Sequence, residues 1–218
     1  MLVYSINIGR PHMRLRNGAE VLTGGDKLPV DSASLHTLGF AGDDQADKVN
    51  HGGADKAVCV YALDHYPHWE QVLGRSLEPG AFSENLTVQG IDEKTVCIGD
   101  VFQVGTALLQ VTQPRTPCAK LAGKHGEPQL VKWVADANAT GFYMRVLRDG
   151  KVARGDPFTL VEPHPARISI WTVDDIIFDR ERSLDMALMA KLVEMPEFGE
   201  SGRVRFRERL AKLAGQPS

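Results

Sequence analysis

The sequence predicts a mainly β protein with some α-helix, in which a barrel-like domain of short strands over residues 1–165 is followed by a small three-helix appendage over residues 166–218. Two observations support this prediction. The first part of the chain holds many short apolar runs, and turn pairs such as Gly52-Gly53 separate them. After Pro163 and Pro165 the apolar positions recur at helical spacing instead.

The predicted strands alternate in polarity or concentrate β-branched and aromatic residues. They are Val3–Ile8, Val58–Tyr61, Leu86–Val88, Val96–Val104, Ala107–Thr112, Phe142–Leu147 and Phe158–Val161. Asn17-Gly18 and Asp149-Gly150 are among the predicted turns. Many short strands with frequent turns between them indicate a barrel or a sandwich.

Helices are predicted within and after this strand-rich region. Asp64 is placed to cap a helix that runs to Val72 with Pro67 in its first turn, and a second helix is predicted over residues 128–137. In the appendage, Thr172 and Ser183 are expected caps, and a third helix runs from about Ser201 to Ala214. The arginines of this last helix are predicted to form a solvent-exposed face, and the alternative is a surface on which a partner docks. They are Arg203, Arg205, Arg207 and Arg209.

Composition and charge narrow the class of protein. The 218 residues are 43% hydrophobic and 24% charged, which is ordinary for a chain long enough to bury a core. The formal net charge of −3 argues against a nucleic-acid polymer as partner. No run reaches the ~20 apolar residues of a membrane span, and the amino terminus lacks signal-peptide features. Three cysteines do not suggest a disulfide scaffold, so we expect a cytoplasmic protein that does not bind membranes.

The segment from Thr112 to Cys118 is the strongest candidate for a functional site. A strand is expected to end at Thr112, because Pro114 and Pro117 fix the backbone and cannot continue a central strand. Arg115 lies near enough in sequence to favour a thiolate at Cys118. A thiolate acts either as a nucleophile or as a ligand for a soft metal, and both roles stay open on this ground. The other two cysteines, Cys59 and Cys97, are expected in the core.

Two further polar clusters accompany this segment. His51 precedes Gly52-Gly53, whose N–H groups are able to form an anion nest, and Lys56 adds a charge suited to phosphate. A tight turn with a surface lysine is the alternative reading. The second cluster contains Glu84 and Asn85, which either face a ligand or form a capped turn before a strand. The sequence contains no motif for a zinc protease, a P-loop or a Rossmann fold.

Together these segments resemble the MOSC domain. The matching motifs occur in the family's order and are Gly-Phe-Ala-Gly-Asp (39–43), His-Gly-Gly-Ala-Asp-Lys-Ala (51–57), Phe-Ser-Glu-Asn-Leu (82–86), Ile-Gly-Asp (98–100) and Gln-Pro-Arg-Thr-Pro-Cys (113–118). The three-helix tail is similar to that of one bacterial branch, which protects cells against N-hydroxylated base analogues such as 6-hydroxylaminopurine. The resemblance implies a barrel-like fold and binding of the molybdenum cofactor.

The resemblance also implies roles for individual residues. Cys118 is the expected molybdenum ligand, and the anionic part of the cofactor is expected at Arg115, Lys56 and the Gly52-Gly53 amides. The other expected cofactor-binding residues are Gln113, Thr116 and Asn85. The reaction implied is the two-electron reduction of an N-hydroxylated compound to an amine and water, for which protons are expected from His51, Asp55 or Glu84, in no fixed order.

Partners and alternatives follow from what the sequence lacks. Three cysteines cannot supply an all-cysteine iron–sulfur cluster, so we expect an external electron donor such as a flavoprotein reductase. Almost nothing precedes Val3, so contacts that an amino-terminal region supplies in related amidoxime reductases are expected from this chain's own loops. A homodimer is expected on general grounds.

Two other functions remain open at this point. In one, Cys118 carries sulfur or the pterin cofactor to a client enzyme. The family also has an association with pyridoxal phosphate, although the sequence holds no desulfurase domain that would use it. A carrier would therefore receive its sulfur from another protein. In the other, the chain is a module that binds modified bases without turnover.

Overall fold

The computed structural model describes residues 1–16, 19–178 and 185–215. The predicted Asn17-Gly18 turn and the predicted cap at Ser183 lie outside these residues. The strands are Leu2–Ile8 (β1), His12–Arg16 (β2), Ala19–Thr23 (β3), Leu28–Val30 (β4), Ser32–His36 (β5), Gly39–Phe40 (β6), Val58–Ala62 (β7), Leu86–Gln89 (β8), Val101–Val104 (β9), Ala107–Pro114 (β10), Phe142–Arg148 (β11), Gly150–Ala153 (β12) and Phe158–Glu162 (β13). The helices are Lys48–His51 (α1), Tyr66–Leu73 (α2), Ala119–His125 (α3), Leu130–Asp136 (α4), Ile170–Ile177 (α5), Met186–Glu194 (α6) and Glu200–Leu213 (α7).

One large sheet organises the molecule. Its strand order is β13-β9-β10-β11-β7-β8-β1-β4, in which β7 and β8 are parallel and the other pairs are antiparallel. The sheet curls until its two sides meet, since the Val3 N–H donates to the Asp156 carbonyl at 2.9 Å and the Gly155 N–H donates to the Val3 carbonyl at 2.8 Å. Two smaller sheets, β12-β5-β6 and β2-β3, accompany it. The predicted barrel-like architecture with helices is confirmed.

Strand β10 continues beyond its predicted end. It runs through Pro114, which pairs with Phe142 of β11, so the expectation that prolines end the strand at Thr112 is wrong. A register shift between Val111 and Gln113 absorbs the irregularity. Pairing with β9 has already ended at Gln110, so Pro114 needs no donor on that side.

Strand β9 begins later than predicted. Residues 96–100 form a turn instead, in which Gly99 has φ 85° and the Asp100 carboxylate accepts the Cys97 N–H at 2.9 Å. A positive φ of this size favours glycine and interrupts an extended strand. Cys97 is buried, as expected.

Two predicted helix caps are wrong. Asp64 does not cap α2, because its carboxylate accepts the Gly90 N–H at 2.8 Å; Pro67 does lie in the first turn of that helix. Helix α5 is capped by Ser169, whose hydroxyl accepts the Thr172 N–H at 3.1 Å, so Thr172 lies inside the helix. The Asp64 carboxylate is engaged by a residue distant in sequence, and the cap expected at Thr172 is supplied by the nearby Ser169.

The three tail helices pack into the same core as the sheet. Ile170 and Val173 of α5, Met189 of α6 and Phe206 of α7 belong to one continuous buried cluster with Leu109 and Val111. Burial of each large apolar side chain contributes roughly 1.5–3 kcal/mol. Phe198, between α6 and α7, is fully buried in the same cluster. The division of the chain near residue 165 stays a prediction.

The arginines of α7 divide into two groups. Arg205 and Arg209 donate to the carbonyls of Ile177 and Ile176 at 3.2 and 2.7 Å, at the carboxyl end of α5. Both arginines therefore cap α5. Arg205 is nevertheless exposed, so the predicted solvated face still describes it, whereas Arg209 is half-buried. Arg207 is exposed.

No helix in the described parts of the chain is both long and apolar enough to cross a bilayer.

Candidate functional site

An inner cavity and an outer groove meet at Cys118. The inner cavity has a volume of about 90 Å³ and is walled by β3, β7 and the loop after β10. The outer groove has a volume of about 500 Å³ and reaches to the tail helices. The residues that line both are Asp47, His51, Lys56, Cys118, Lys120 and Tyr143. This junction is where a ligand in the cavity and a second one in the groove would meet.

The backbone fixes Cys118 at this junction. After β10 ends, the Arg115 N–H donates to the Gly141 carbonyl at 3.0 Å. Three residues later the Cys118 carbonyl accepts the Leu121 N–H at 2.9 Å, which begins α3. The loop is thus held at both of its ends, and its prolines stiffen the middle. A rigid loop of this kind positions a reactive side chain.

The surroundings of Cys118 favour its thiolate. Burial disfavours the charged form, but a hydrogen bond from the His51 side chain, the Lys120 N–H and the charges of His51 and Arg115 outweigh it. Together they lower the pKa of Cys118 to about 7. A large fraction of the thiol is therefore ionised near neutral pH.

Arg115 is a buried cation without a full set of partners. Its side chain is only 6% exposed, and its Nη1 has no hydrogen-bond partner within the described residues. Burial opposes its charge, yet the neighbouring Cys59, Tyr143 and Cys118 raise its pKa, so it stays charged. A buried charged donor without a partner costs free energy unless a ligand supplies an acceptor. Because Arg115 lines the inner cavity, that cavity suits an anionic group.

Cys59 lies in the same cavity wall but differs in chemistry. It is buried in β7, as expected of a core cysteine. Burial raises its pKa to about 11, against a smaller opposing effect of Arg115. Near neutral pH Cys59 is therefore a thiol, whereas a large fraction of Cys118 is thiolate.

The two glycines after α1 shape the turn rather than line the site. A Cβ on Gly52 would lie 2.7 Å from the Lys48 carbonyl oxygen, and Gly53 has φ 95°. Both positions therefore need glycine. The turn brings His51 to Cys118 and Lys56 to the cavity wall, while neither glycine lines cavity or groove. The predicted anion nest at Gly52-Gly53 stays a prediction.

Lys56 is placed where the sequence suggested. Its Nζ donates to the Asn50 carbonyl at 2.8 Å. Burial lowers its pKa, and Asp55 and Asp47 act in the opposite direction. A half-buried lysine at the cavity wall is a charge that an anionic ligand can use.

Asp55 lies outside the site. Its carboxylate pairs with Arg145 at 2.9 Å and accepts the Glu200 N–H at 2.8 Å, and its carbonyl accepts the Thr112 hydroxyl at 2.6 Å. These contacts join the turn after α1 to the start of α7. Asp55 lines neither cavity nor groove, so the structure does not bring it to Cys118.

Glu84 is also remote from the ligand space. It is fully buried, and its carboxylate accepts the N–H groups of Gly80 and Phe82 at 2.9 and 3.0 Å and the Thr87 hydroxyl at 2.7 Å. Tyr66 donates to it as well. These contacts stabilise the loop before β8. Glu84 does not line the inner cavity, so the structure does not place its carboxylate where it would exchange a proton with a ligand there.

Asn85 lines the inner cavity with its amide already engaged. Its Oδ1 accepts the Cys59 N–H at 3.1 Å, and its Nδ2 donates to Asp43 at 2.8 Å and to the Asn7 carbonyl at 3.3 Å. Asp43 in turn is paired with Lys27. Asn85 thus braces the wall of the cavity.

Gln113 and Thr116 belong to the outer groove. The Gln113 Oε1 accepts the Ser201 hydroxyl of α7 at 2.9 Å. Thr116 is exposed on the loop before Cys118. Both residues face the groove near Cys118, at a distance from the inner cavity.

Several lining residues were not predicted from the sequence. They are Thr23, Gly24, Gly25, Lys27, Lys120, Tyr143, Ser201, Gly202 and Arg205. The segment from the end of β3 to the start of β4 and helix α7 carry most of them, and both are far from Cys118 in sequence. Only the position of Lys120 next to Cys118 offered a local signal. No group of three His, Cys, Asp or Glu side chains within the described ranges could hold a metal ion.

Comparisons with known proteins agree with the sequence motifs. Residues 47–159 match the MOSC domain. The uncharacterized protein YflK of Bacillus subtilis is 42% identical over 212 residues, which cover 97% of this chain and 95% of YflK. The crystal structure of YiiM from Geobacillus stearothermophilus superposes with a TM-score of 0.82 at 37% identity, covering 96% of this chain and 99% of that one.

A third relative is named for an activity. A protein of Gibberella moniliformis named Reductase is 36% identical over 165 residues. The match covers 72% of this chain and 28% of that longer protein.

Proposed function

The chain belongs to the MOSC domain family, and from that premise we propose that it is a molybdenum-cofactor-dependent reductase of N-hydroxylated compounds. The observation that carries this proposal is the pairing of a thiolate at Cys118 with the unpartnered buried Nη1 of Arg115 at one cavity. A distant relative named Reductase supports the class of reaction.

The side chains present fit the proposed cofactor. A thiolate is a suitable ligand for molybdenum, and Cys118 supplies one. The cofactor carries a phosphate, and Arg115 lacks the acceptor that a phosphate would provide. Lys56 adds a second cation to the same wall. The groove volume of about 500 Å³ lies in the range of small-molecule sites.

The cofactor, when bound, supplies the two-electron chemistry that no side chain of this chain provides. The overall reaction breaks the N–O bond of R–NHOH and consumes two electrons and two protons, giving R–NH2 and water. The electrons come from an external donor, which we propose to be a flavoprotein reductase. We also propose that the chain forms a homodimer.

His51 is the side chain that we assign to proton delivery. It lines both cavity and groove, and it lowers the pKa of Cys118. Asp55 and Glu84 are occupied by the contacts described above and lie outside both spaces. His51 therefore lies at the junction, in position to donate a proton to the leaving oxygen of a substrate in the groove. Tyr143 and the loop prolines Pro114 and Pro117 line the groove together with His51.

The experiment that tests this proposal is a turnover assay. The protein is purified from a host that makes the molybdenum cofactor and is assayed with 6-hydroxylaminopurine and a chemical reductant. We expect amine formation by the wild type and by Cys97→Ala, and none by Cys118→Ala. Cys97 is buried away from the site, which makes it a matched control. Full activity of Cys118→Ala would contradict the proposal.

A carrier function is the second candidate, because Cys118 is a half-buried thiolate that a partner can reach. A carrier would hold a persulfide at Cys118 or pass the cofactor to a client. It predicts cyanide-labile sulfur on purified protein and no turnover of N-hydroxylated compounds. Finding turnover without labile sulfur would exclude it.

A further inference from the structure

Helix α7 contributes one wall of the outer groove. Ser201, Gly202 and Arg205 line it from adjacent turns of the helix. The Ser201 hydroxyl is anchored on Gln113 at 2.9 Å, so this part of α7 is held against the end of β10. Arg205 thus lies in the same groove as Cys118 and His51.

Part of the lining of the groove is apolar. Ile177, Phe198, Pro114 and Pro117 line it, and Phe198 is fully buried. A Cβ on Gly202 would lie 2.4 Å from the Phe198 ring, so glycine is required for the helix to approach that ring. Apolar walls with a few polar groups around them are typical of sites for small ring compounds.

Arg205 is a cation without a counter-ion. Its guanidinium donates to the Ile177 carbonyl at 3.2 Å, and no carboxylate pairs with it in the described part of the chain. Burial and the nearby charge of Arg209 lower its pKa, which agrees with a cation that lacks an anionic neighbour. Arg203, two residues earlier, is paired with Glu200. Since an arginine carries several N–H donors in a planar fork, Arg205 retains donors for a ligand.

The other charges of the groove reinforce Arg205. Lys56 and Lys120 line it, and Asp47 is the carboxylate among the lining residues; it lies 4.0 Å from Lys120. The groove is therefore positive near Cys118, and anions are attracted to it. Arg115 lies in the inner cavity, behind Cys118, so its anion and the one at Arg205 are different groups.

We propose that Arg205 binds a phosphate or carboxylate on the molecule that occupies the outer groove, and that it thereby favours N-hydroxylated ring compounds that carry such a group. The choice of substrate rests on the proposed reductase function. The same anion could also belong to an extension of the cofactor that reaches the groove. Either source would place an anionic group against the Arg205 guanidinium. An anion of the substrate would affect KM, whereas an anion of the cofactor would affect how well the protein retains the cofactor.

The first test compares two substrates in steady-state assays of the cofactor-loaded protein. They are 6-hydroxylaminopurine, which is neutral, and the corresponding nucleoside monophosphate. In Arg205→Gln we expect KM for the phosphorylated compound to rise roughly tenfold, because a charge-assisted hydrogen bond is lost. KM for the neutral base and kcat for both should change little. Arg205→Lys keeps the charge but not the planar set of N–H donors, so its KM for the phosphorylated compound should lie between those of wild type and Arg205→Gln.

Arg207→Gln is the matched control on the same helix. Arg207 is exposed, as Arg205 is, but it does not line the groove, so both KM values should stay at wild-type levels. Retention of molybdenum and pterin through dialysis identifies the other source of the anion. If Arg205→Gln loses cofactor faster than wild type while its KM ratio is unchanged, the anion at Arg205 belongs to the cofactor. If neither KM ratio nor retention changes, anion binding at Arg205 is overturned.

A binding experiment separates this inference from the reductase proposal. Calorimetric titration of the purified protein with adenosine monophosphate and with adenosine needs no turnover. We expect the nucleotide to bind more tightly than the nucleoside in wild type, and Arg205→Gln to remove most of that difference. This result together with absent turnover would overturn the reductase function and leave the anion site standing. Equal binding of both ligands to wild type would overturn the site.

Discussion

His51, the last residue of α1, lowers the pKa of Cys118, which lies 67 positions later in the chain between β10 and α3. The contact depends on the Gly52-Gly53 turn, which ends α1 abruptly and leaves His51 at the junction of cavity and groove. One side chain thereby stabilises the thiolate at the site where we propose proton delivery. Whether His51 lowers the pKa of Cys118 can be measured directly.

Replacement of His51 should raise the pKa of Cys118. In His51→Ala the side chain that lowers the pKa of Cys118 is lost, so this pKa should move from about 7 toward the ordinary thiol value of 9.0. The rate of alkylation by iodoacetamide, measured against pH on cofactor-free protein, reports the thiolate fraction. The exposed His36, which pairs with Asp149, provides the control His36→Ala. An unchanged pH profile in His51→Ala would show that His51 does not stabilise the thiolate.

Replacement of Arg115 should affect cofactor binding and protein stability in opposite directions. Arg115→Met removes a buried charge whose Nη1 lacks a partner, so the cofactor-free protein should be as stable as wild type or more stable, by about 1 kcal/mol. For a chain of this size that corresponds to about 2–4 °C in melting temperature. The same variant should retain much less molybdenum and pterin. A strong loss of stability in the cofactor-free variant would indicate that Arg115 has a structural role instead.

Glu84→Gln should destabilise the fold without a specific effect on proton transfer. Its buried carboxylate accepts hydrogen bonds from Gly80, Phe82 and Thr87, and a neutral amide cannot accept all of them. The expected loss is about 1–3 kcal/mol of unfolding free energy. Denaturant unfolding measures it, and the pH profile of the remaining activity should keep the shape of the wild type. A changed profile in a stable variant would restore Glu84 as an acid in the reaction.

Lys124 should make stability depend on pH under mildly alkaline conditions. Its Nζ donates to the Gly25 and Gly80 carbonyls at 2.9 and 2.6 Å, and burial lowers its pKa to about 8 from 10.5. The unfolded chain therefore binds the proton more tightly, and this residue's contribution to stability increases as pH rises above about 8. The difference in unfolding free energy between wild type and Lys124→Met should grow by at most about 1.4 kcal/mol per pH unit up to about pH 9.5. A flat difference would show that the lysine titrates normally.

Local signals in the sequence predicted the strands and the reactive loop. The patterns that predicted β1 and β11 and the proline-stiffened approach to Cys118 depend only on neighbouring residues, and the structure contains both strands and the loop. The end of β10 was missed because Pro114 is tolerated where pairing with β9 has already stopped. Where the pairing with β9 stops is a property of the assembled sheet, and the conformational preferences of individual residues do not predict it.

The partners of the polar residues were the part that could not be predicted. Asp55 and Glu84 lie in motifs beside the site, yet their contacts come from Arg145, Glu200 and Gly80, which are remote or unremarkable in sequence. Arg205 was read as part of a solvated face because its helix is rich in charge. Its place in the groove follows from how α7 packs against Phe198 and Gln113.

The molybdenum content of matched cysteine variants tests the central claim most directly. Wild type, Cys118→Ser and Cys97→Ser are purified from the same cofactor-producing host, and molybdenum per chain is measured. We predict stoichiometric metal in wild type and in Cys97→Ser and almost none in Cys118→Ser. Equal molybdenum in all three proteins would contradict the assignment of Cys118 as the ligand that holds the cofactor.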